Sequence, residues 1–377
     1  MKIVYLADGR SIHTLRWAKH FSGKGHSVHV VTFAAPSPSR DNILFHEVPL
    51  NWSKASYLLM RPYIERTIAE IKPDIIHGHY LTSYGAIAGR LRCNTPTILS
   101  AWGSDVLVAL GKRGPYGAFL RRIVRPSLNK AESITAESTI VGDALRKVLH
   151  VPQSKIEVFP WGVDLSTFYP TKVCATDWTT LLSIPEGFRL VISPRMMFPV
   201  YNIEVIVKSI ALVNRHFKNV MFVFLCGLRD QNYYAQVRRL VAQEGVSEHV
   251  RFIEEYLYPA QVAELLNLSQ VLVSIPRSDS LPISVLEGLA CNVLPVCNPI
   301  GANLEVMGEG VKMTLVEVDS NALGRSIIRV LERPNSENQV ITSTNLKVVL
   351  EKYSWAMSCS RMEKLYQKAL RASVTFV

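Results

Sequence analysis

Apolar, β-branched runs alternate with amphipathic helical patterns along most of the chain. In the first half these runs are Lys2–Leu6, His26–Phe33, Ile43–Val48, Asp74–His77, Thr97–Ala101, Ser133–Ala136 and Lys155–Phe159. In the second half they are Leu190–Ser193, Val220–Cys226, Val250–Ile253, Gln270–Ser274, Val293–Cys297 and Met313–Val316. Near-continuous apolar strands separated by helices are typical of parallel sheets that are covered on both faces. The pattern therefore predicts an α/β fold with two doubly wound, Rossmann-like domains.

The boundary between these domains is expected in the segment FPWGVDLSTFYPTK, residues 159–172, which prolines and a glycine interrupt. We predict an N-terminal domain over residues 1–165 and a C-terminal domain over residues 166–354. A last amphipathic helix, within residues 355–377, either caps the second domain or crosses back to the first. A chain of 377 residues is long enough for two hydrophobic cores.

Composition and charge restrict the class of partner. The six cysteines form no Cys-x-x-Cys pair, and the first residues, MKIVYLADGR, have the pattern of a strand and a turn, so we expect a cytoplasmic protein with reduced thiols. No segment is apolar and long enough to span a bilayer. The net charge of +11 indicates an anionic partner, either a phosphate-bearing small molecule or a membrane surface. Since no nucleic-acid-binding motif is present, we expect no nucleic-acid partner.

The segment SDSLPISVLEGLACNVLPV places two carboxylates, Asp279 and Glu287, in an otherwise apolar run. Asp279 lies in a predicted loop, and Glu287 lies about one turn into a helix that is predicted to begin near Ile283 with Ser280 as its cap. Free backbone N–H groups at a helix start bind anions, and a carboxylate accepts two O–H groups from a sugar. Each carboxylate alone is better explained as a turn or surface residue, but the pair favours a ligand site. The expected anion site comprises Ser280, Leu281, Pro282, Ile283 and Ser284.

Three loops in the first half also follow predicted strands. In LADGRSIHTLRW, Gly9 allows close approach of a ligand to the backbone. For Arg10, a contact with phosphate and a solvated surface position are equally supported. In HGHYLTSYG, His79 suits a hydrogen bond to a sugar, whereas His77 suits a buried strand. In AWGSD, Asp105 either orients or deprotonates an acceptor hydroxyl or caps a helix. The two histidines have no evident third partner, so a metal site is not expected.

A basic amphipathic stretch, GKRGPYGAFLRRIVRPSLNK, covers residues 111–130. It is compatible with two interpretations, a helix lying on an anionic membrane and a docked helix with a solvated basic face. The first would place the protein peripherally at the inner face of the membrane.

Five segments, in chain order, resemble the retaining GT-B glycosyltransferases, in particular glycosyltransferase family 4. They are SIHTLRWAKHFSGKGHSVHVVTF, PDIIHGHYLTSYGAIAGRL, FPWGVDLSTFYP, VISPRMMFPVYNIEVIVKSIALV and the segment that contains Asp279 and Glu287. Asp279, seven residues and Glu287 resemble the donor motif, and Arg195 stands in the position of the family's phosphate-binding arginine. The family's lysine a few residues later is missing, because Val200, Tyr201 and Asn202 occupy that region.

The resemblance implies the GT-B fold, with two Rossmann-like domains facing across a cleft, and retaining transfer of a hexose from a nucleotide-sugar to a saccharide or lipid-linked acceptor. Family frequency alone favours a UDP-hexose such as UDP-glucose. The implied catalytic residues are Asp279, His79 and Asp105. The implied donor-binding residues are Arg195, Tyr201 and the helix start for the diphosphate, Glu287 for the ribose, and Tyr256 and Leu257 for the base. Because the chain has no Asp-x-Asp motif, we expect neither a metal nor another cofactor.

Other functions fit less well. A nucleotide-sugar 2-epimerase on the same fold would consume donor without an acceptor and would need more acid–base side chains. A catalytically weakened nucleotide-sugar-binding subunit would bind the nucleotide without transferring the sugar. The missing lysine keeps this alternative open. A nicotinamide-dependent oxidoreductase would need the three-glycine fingerprint, which the chain lacks.

Overall fold

The computed structural model describes residues 1–35, 42–49 and 59–374, with side chains described to residue 372. The chain divides into two compact units: unit 1 comprises Met1–Pro160 and Ser358–Val377, and unit 2 comprises Trp161–Met357. The division thus falls a few residues before the boundary predicted at residue 165.

Unit 1 is built on a seven-stranded parallel sheet in the order β3-β2-β1-β4-β5-β6-β7. Its strands are β1 Lys2–Leu6, β2 Ser27–Thr32, β3 Ile43–Glu47, β4 Ile75–His79, β5 Thr97–Ala101, β6 Ser133–Ala136 and β7 Ile156–Val158. The helices are α1 Ile12–Gly23, α2 Arg61–Ile71, α3 Tyr84–Ala88, α4 Pro115–Lys130 and α5 Thr139–Leu149, with a π-helical turn at Ser104–Leu110. Strand order reverses between β1 and β4, so the loops after these strands define the place where such sheets bind ligands.

Unit 2 is built on a six-stranded parallel sheet in the order β10-β9-β8-β11-β12-β13. Its strands are β8 Arg189–Ser193, β9 Val220–Leu225, β10 Val250–Ile253, β11 Ser269–Ser274, β12 Leu294–Cys297 and β13 Thr314–Leu315. The helices are α6 Trp178–Leu181, α7 Ile203–His216, α8 Gln231–Gln243, α9 Pro259–Leu268, α10 Ile283–Ala290, α11 Gly301–Gly308, α12 Ser320–Glu332 and α13 Asn335–Lys352. Here the order reverses between β8 and β11. The two parallel sheets confirm the predicted fold class.

The last helix, α14 (Trp355–Val374), joins unit 1 through a buried polar chain. The hydroxyl of Tyr366 lies 2.6 Å from Nδ1 of His77 and 3.1 Å from the hydroxyl of Tyr5. Nε2 of His77 lies 2.8 Å from Oγ of Ser100, so both ring nitrogens are satisfied without solvent. His77 is therefore a strand-core residue, in agreement with the sequence-based interpretation.

Strand β4 runs two residues further than predicted, so His79 is its last residue rather than part of the following loop. Gly78 makes this possible: a Cβ atom there would lie 3.0–3.1 Å from Leu99, Ala88 and Gly85. Among the helices of the described residues, none is long and apolar enough to cross a membrane.

Candidate active site

An ion pair lies at the reversal point of the unit 2 sheet. The guanidinium of Arg195, just after β8, donates to the carboxylate of Asp279, which follows β11. Arg195 also donates from Nε to Oγ of Ser274 at 2.8 Å. Only 11% of the Arg195 side chain and 15% of the Asp279 side chain are exposed, so this is not a surface salt bridge. Burial lowers the pKa of Arg195, but Asp279, together with Tyr201 and Cys297, outweighs the burial and the pKa is raised, so the guanidinium stays charged.

The loop between β8 and α7 carries the residues that replace the family's lysine. The guanidinium carbon of Arg195 lies 5.2 Å from the centre of the Tyr201 ring, a distance typical of a cation–π contact. Burial raises the pKa of Tyr201, so its hydroxyl is a proton donor at neutral pH. Val200 is 37% exposed and supplies no charge. Tyr201 therefore lies beside the predicted phosphate-binding arginine.

Arg277 joins this loop to the loop after β11, and sequence reasoning missed it. Its backbone N–H donates to the carbonyl oxygen of Val200 at 2.7 Å, and its Nε donates to Oδ1 of Asn202 at 2.8 Å. Asn202 adopts φ 52° and donates from Nδ2 to the carbonyl oxygen of Ile275. An asparagine is among the few residues that tolerate this conformation, but nothing in the local sequence indicated its partner.

Helix α10 begins at Ile283, as predicted, but its start differs in detail. Pro282, not Ser280, occupies the capping position, so the predicted cap is wrong. Pro282 has no N–H group, and the N–H of Ile283 donates to the carbonyl oxygen of Leu281 at 2.9 Å. Within the described residues, no acceptor binds the N–H of Leu281 or the N–H and the buried hydroxyl of Ser284. Fewer donors are therefore available for the predicted anion site than the sequence suggested, and anion binding here stays a prediction.

Glu287 lies in the second turn of α10 and is partly buried. It belongs to the same helix whose start follows Asp279, so the two carboxylates lie on one loop–helix unit after β11. This is the arrangement that the spacing of the motif predicted. Binding of a ribose by Glu287 stays a prediction.

The loop after β10 contains the residues predicted to contact the base. Tyr256 is 49% exposed, whereas Leu257 packs against the hydrophobic core of unit 2. Gly227 allows this loop to approach β9, because a Cβ atom at Gly227 would lie 2.6 Å from the carbonyl oxygen of Glu255. Tyr256 is thus available for stacking on a base, and the side chain of Leu257 is already used in packing.

In unit 1, His79 is buried among aromatic rings. Its ring lies 4.6 Å from that of His77 and 5.5 Å from that of Trp102, between ring centres. Nδ1 lies 3.4 Å from Oγ1 of Thr14, and Nε2 is buried without a hydrogen-bond partner among the described residues. Burial, and to a smaller extent repulsion from His13 when that ring is protonated, lowers the pKa of His79 to about 3, so the ring is neutral at pH 7. A neutral imidazole with one unused nitrogen is suited to hydrogen bonding with a ligand hydroxyl.

Asp105 is fully buried, and three backbone N–H groups bind its carboxylate. They belong to Leu81 at 2.7 Å, Trp102 at 3.0 Å and Val106 at 3.0 Å. Burial raises the pKa of Asp105 to about 6, although these hydrogen bonds oppose the shift. This arrangement ties the loops after β4 and β5 together. It is not a helix cap, because Gly103 occupies the capping position of the π-helical turn and no side chain caps that turn. Action of Asp105 on an acceptor hydroxyl stays a prediction.

The loop after β1 is explained largely by contacts within unit 1. A Cβ atom at Gly9 would lie 2.9 Å from the carbonyl oxygen of Ala34, and the N–H of Gly9 donates to Oγ1 of Thr32. Packing therefore requires this glycine, and contact with a donor stays a prediction. Arg10 has a 67% exposed side chain and lies 3.7 Å from Asp8. In the described part of the chain, no three His, Cys, Asp or Glu side chains are grouped so that they could hold a metal ion.

Two family models match the chain in succession. The first, described as glycosyl transferase 4-like, matches residues 2–138, and the second, glycosyl transferases group 1, matches residues 178–346. The chain belongs to the group 1 glycosyltransferases. It is thus an enzyme of the GT-B, family-4 type, as the motifs indicated.

Curated relatives share this assignment over nearly their whole length. An uncharacterized glycosyltransferase of Methanocaldococcus jannaschii is 22% identical over 349 residues, which cover 90% of this chain and 89% of the relative. The N-acetyl-alpha-D-glucosaminyl L-malate synthase of Bacillus anthracis is 21% identical over 368 residues, covering 94% and 92%.

Solved structures show the same fold. A glycosyltransferase from Rickettsia africae superposes with a TM-score of 0.81 at 16% identity, over 98% of both chains. HepE from Anabaena, in complex with UDP and glucose, superposes with a TM-score of 0.80 at 13% identity, over 98% of this chain and 100% of that chain.

Proposed function

We propose that this glycosyltransferase transfers a hexose from a UDP-hexose, with UDP-glucose the favoured donor, to a saccharide or lipid-linked acceptor. The observation that carries the proposal is the buried pair of Arg195 and Asp279 at the reversal point of the unit 2 sheet, directly before the start of α10. The choice of UDP and glucose is supported by family frequency and by the Anabaena structure that contains both.

In the proposed donor complex, unit 2 holds the nucleotide. Arg195 and the N–H groups of Leu281 and Ser284 bind the diphosphate, Glu287 accepts hydrogen bonds from the ribose hydroxyls, and Tyr256 stacks on the base. The hydroxyl of Tyr201 donates one further hydrogen bond to the diphosphate.

We propose transfer with retention and without a metal ion. The bond between the anomeric carbon and the phosphate oxygen breaks, and the acceptor hydroxyl oxygen bonds to that carbon on the same face. The acceptor proton passes to the departing phosphate oxygen, so the step balances without another reactant. Arg195 and the backbone donors stabilise the charge that develops on the diphosphate. Asp279 is proposed to hold hydroxyls of the hexose, and a hydrogen bond from His79 to a sugar hydroxyl stays a prediction.

Calorimetric titration of wild type and Glu287→Ala with UDP, GDP, ADP and CMP tests the donor site. We expect one diphosphate, UDP, to bind best and the substitution to weaken it about 10- to 100-fold, because hydrogen bonds to a charged group contribute about 1.5–3 kcal/mol. Glu317→Ala removes an exposed carboxylate of the same unit and should leave binding unchanged. If no nucleotide binds, or if Glu287→Ala and Glu317→Ala behave alike, the donor site is wrong.

The chemistry needs separate measurements. Product anomers resolved by NMR should retain the donor's configuration, and the rate should be unaffected by EDTA. Consumption of donor in the absence of any acceptor, with formation of a 2-epimer, would favour the epimerase instead.

A further inference from the structure

We infer that α4 of unit 1 carries a docking surface for a bilayer that contains anionic phospholipids. The inference goes beyond the proposed function, since binding to a bilayer requires neither a donor nor transfer. The docking surface consists of exposed residues in and just before α4, namely Lys112, Arg113, Tyr116, Phe119, Arg122 and Arg125.

The first observation is the one-sided charge of this region. Between Asp105 and Glu132 the chain contains no acidic residue. It contains the basic residues Lys112, Arg113, Arg121, Arg122, Arg125 and Lys130. Basic side chains next to an anionic membrane each contribute about 1 kcal/mol of attraction. The concentration of cations accounts for a large part of the net charge of +11.

The second observation is that large apolar side chains stand exposed among these cations. Phe119 is 59% exposed, Tyr116 is 54% exposed, and Val108 in the preceding π-helical turn is 46% exposed. Phe119 and Tyr116 are three positions apart on α4, so they lie on neighbouring parts of the helix surface. Phosphate recognition alone needs no exposed aromatic pair, whereas the boundary between lipid headgroups and acyl chains accommodates one.

The third observation is a cavity of about 720 Å³ that these cations help to line. It lies between α4 and the end of α5, and its lining includes Phe119, Arg122, Arg125, Val148 and Leu149 but no acidic residue. A pocket lined by both apolar side chains and arginines suits the phosphate and glycerol of a lipid headgroup.

The surface is held rigidly, which reduces the loss of entropy on docking. The guanidinium of Arg121 donates from Nη1 to the carbonyl oxygens of Leu110 at 2.7 Å and of Lys112 at 3.0 Å. The ammonium of Lys112 lies 5.9 Å from the centre of the Tyr116 ring. These contacts fix the segment that precedes α4, so its exposed side chains project from a preformed backbone.

Binding of the full chain to sedimented vesicles tests the inference. We expect binding to phosphatidylcholine vesicles with about one third phosphatidylglycerol, weak binding to phosphatidylcholine alone, and loss of binding as salt rises. The variant Arg122→Gln/Arg125→Gln should bind the anionic vesicles roughly 30-fold less, about fivefold for each cation. Phe119→Ser should weaken the binding that remains at high salt.

The matched control is Arg215→Gln/Arg239→Gln, which removes two exposed cations from unit 2. The inference is overturned if this control loses as much binding as the α4 variant, because attraction would then reflect net charge alone. It is also overturned if neutral and anionic vesicles bind equally, or if a single-stranded oligonucleotide binds through α4 more tightly than the vesicles. The α4 variant should bind UDP with the same affinity as wild type. A failure of the membrane-docking inference can therefore be distinguished from a failure of the proposed donor site.

Discussion

Replacing Asp279 by asparagine tests whether the buried ion pair organises the site. The change keeps the shape of the side chain but removes the negative charge that Arg195 faces. Arg195 would then retain Ser274 Oγ at 2.8 Å and the Tyr201 ring at 5.2 Å as its remaining partners. The guanidinium would stay charged and largely buried, so the unliganded protein should become less stable.

The magnitude follows from the geometry. Two unit charges about 4 Å apart interact by about 4 kcal/mol at an effective dielectric constant of about 20. Removal of one partner from a fully buried pair costs about 3–5 kcal/mol. Because Ser274 and Tyr201 remain and the pair is 11% and 15% exposed, we expect a loss of about 2–3 kcal/mol in the free energy of unfolding. For a unit of this size, that loss corresponds to a decrease of roughly 4–10 °C in Tm.

The assay is thermal and urea unfolding of wild type, Asp279→Asn, Arg195→Gln and the double variant, with Glu317→Gln as the control for an exposed carboxylate. Saturating UDP should reduce the difference in Tm between wild type and Asp279→Asn, because the diphosphate supplies negative charge beside Arg195. It should not rescue Arg195→Gln. Equal Tm values for wild type and Asp279→Asn without ligand would refute the reasoning. So would additive effects in the double variant, since a real pair shows a coupling energy above about 0.5 kcal/mol.

Two further predictions concern unit 1. Tyr366→Phe should lower the free energy of unfolding of unit 1 by about 1–3 kcal/mol in urea denaturation, because loss of the buried hydroxyl leaves Nδ1 of His77 and the hydroxyl of Tyr5 without this partner. Stability equal to that of wild type would contradict this. Acidification from pH 7 to 5 should destabilise unit 1, because burial lowers the pKa of His79 to about 3 and of His13 to about 4, so the unfolded chain takes up protons first. Each histidine should contribute about 1.4 kcal/mol per pH unit below about 6.5, and His79→Gln should make the measured slope shallower.

The strands were predictable because both sheets are buried on their two faces, and such strands have continuous apolar runs. The error at β4 shows where this signal ends. His-Gly-His has the pattern of a polar turn, but His79, the last residue of β4, is buried with its Nδ1 3.4 Å from Oγ1 of Thr14, which is 65 positions away in the chain. Hydropathy along the chain contains no information about such distant hydrogen bonds, so a buried polar strand end was assigned to a loop.

The spacing of the motif predicted Asp279 and Glu287, and the family resemblance predicted Arg195, but neither predicted that Arg195 and Asp279 pair with each other. Arg195 follows β8 and Asp279 follows β11, and they meet only because β8 and β11 are neighbours in the sheet. Ser274 was missed because a serine at the end of a strand carries no distinguishing signal. The small residue Gly227 was missed as well, although a glycine directly after a predicted strand is a signal of close backbone approach.

The pairing of Arg195 with Asp279 has a consequence for the proposed donor complex. The positive charge of the guanidinium is already balanced by Asp279, and Val200 contributes no second cation. A diphosphate therefore gains the full attraction of Arg195 only when Asp279 changes partner. A carboxylate released in this way must be satisfied again, because an unpaired charge at this depth is costly. The hydroxyls of a donor hexose would satisfy it, whereas a nucleoside diphosphate without a sugar would not. Under the proposed function, exchange of partners at Asp279 therefore couples recognition of the phosphate to recognition of the sugar, a coupling that an additional lysine would weaken.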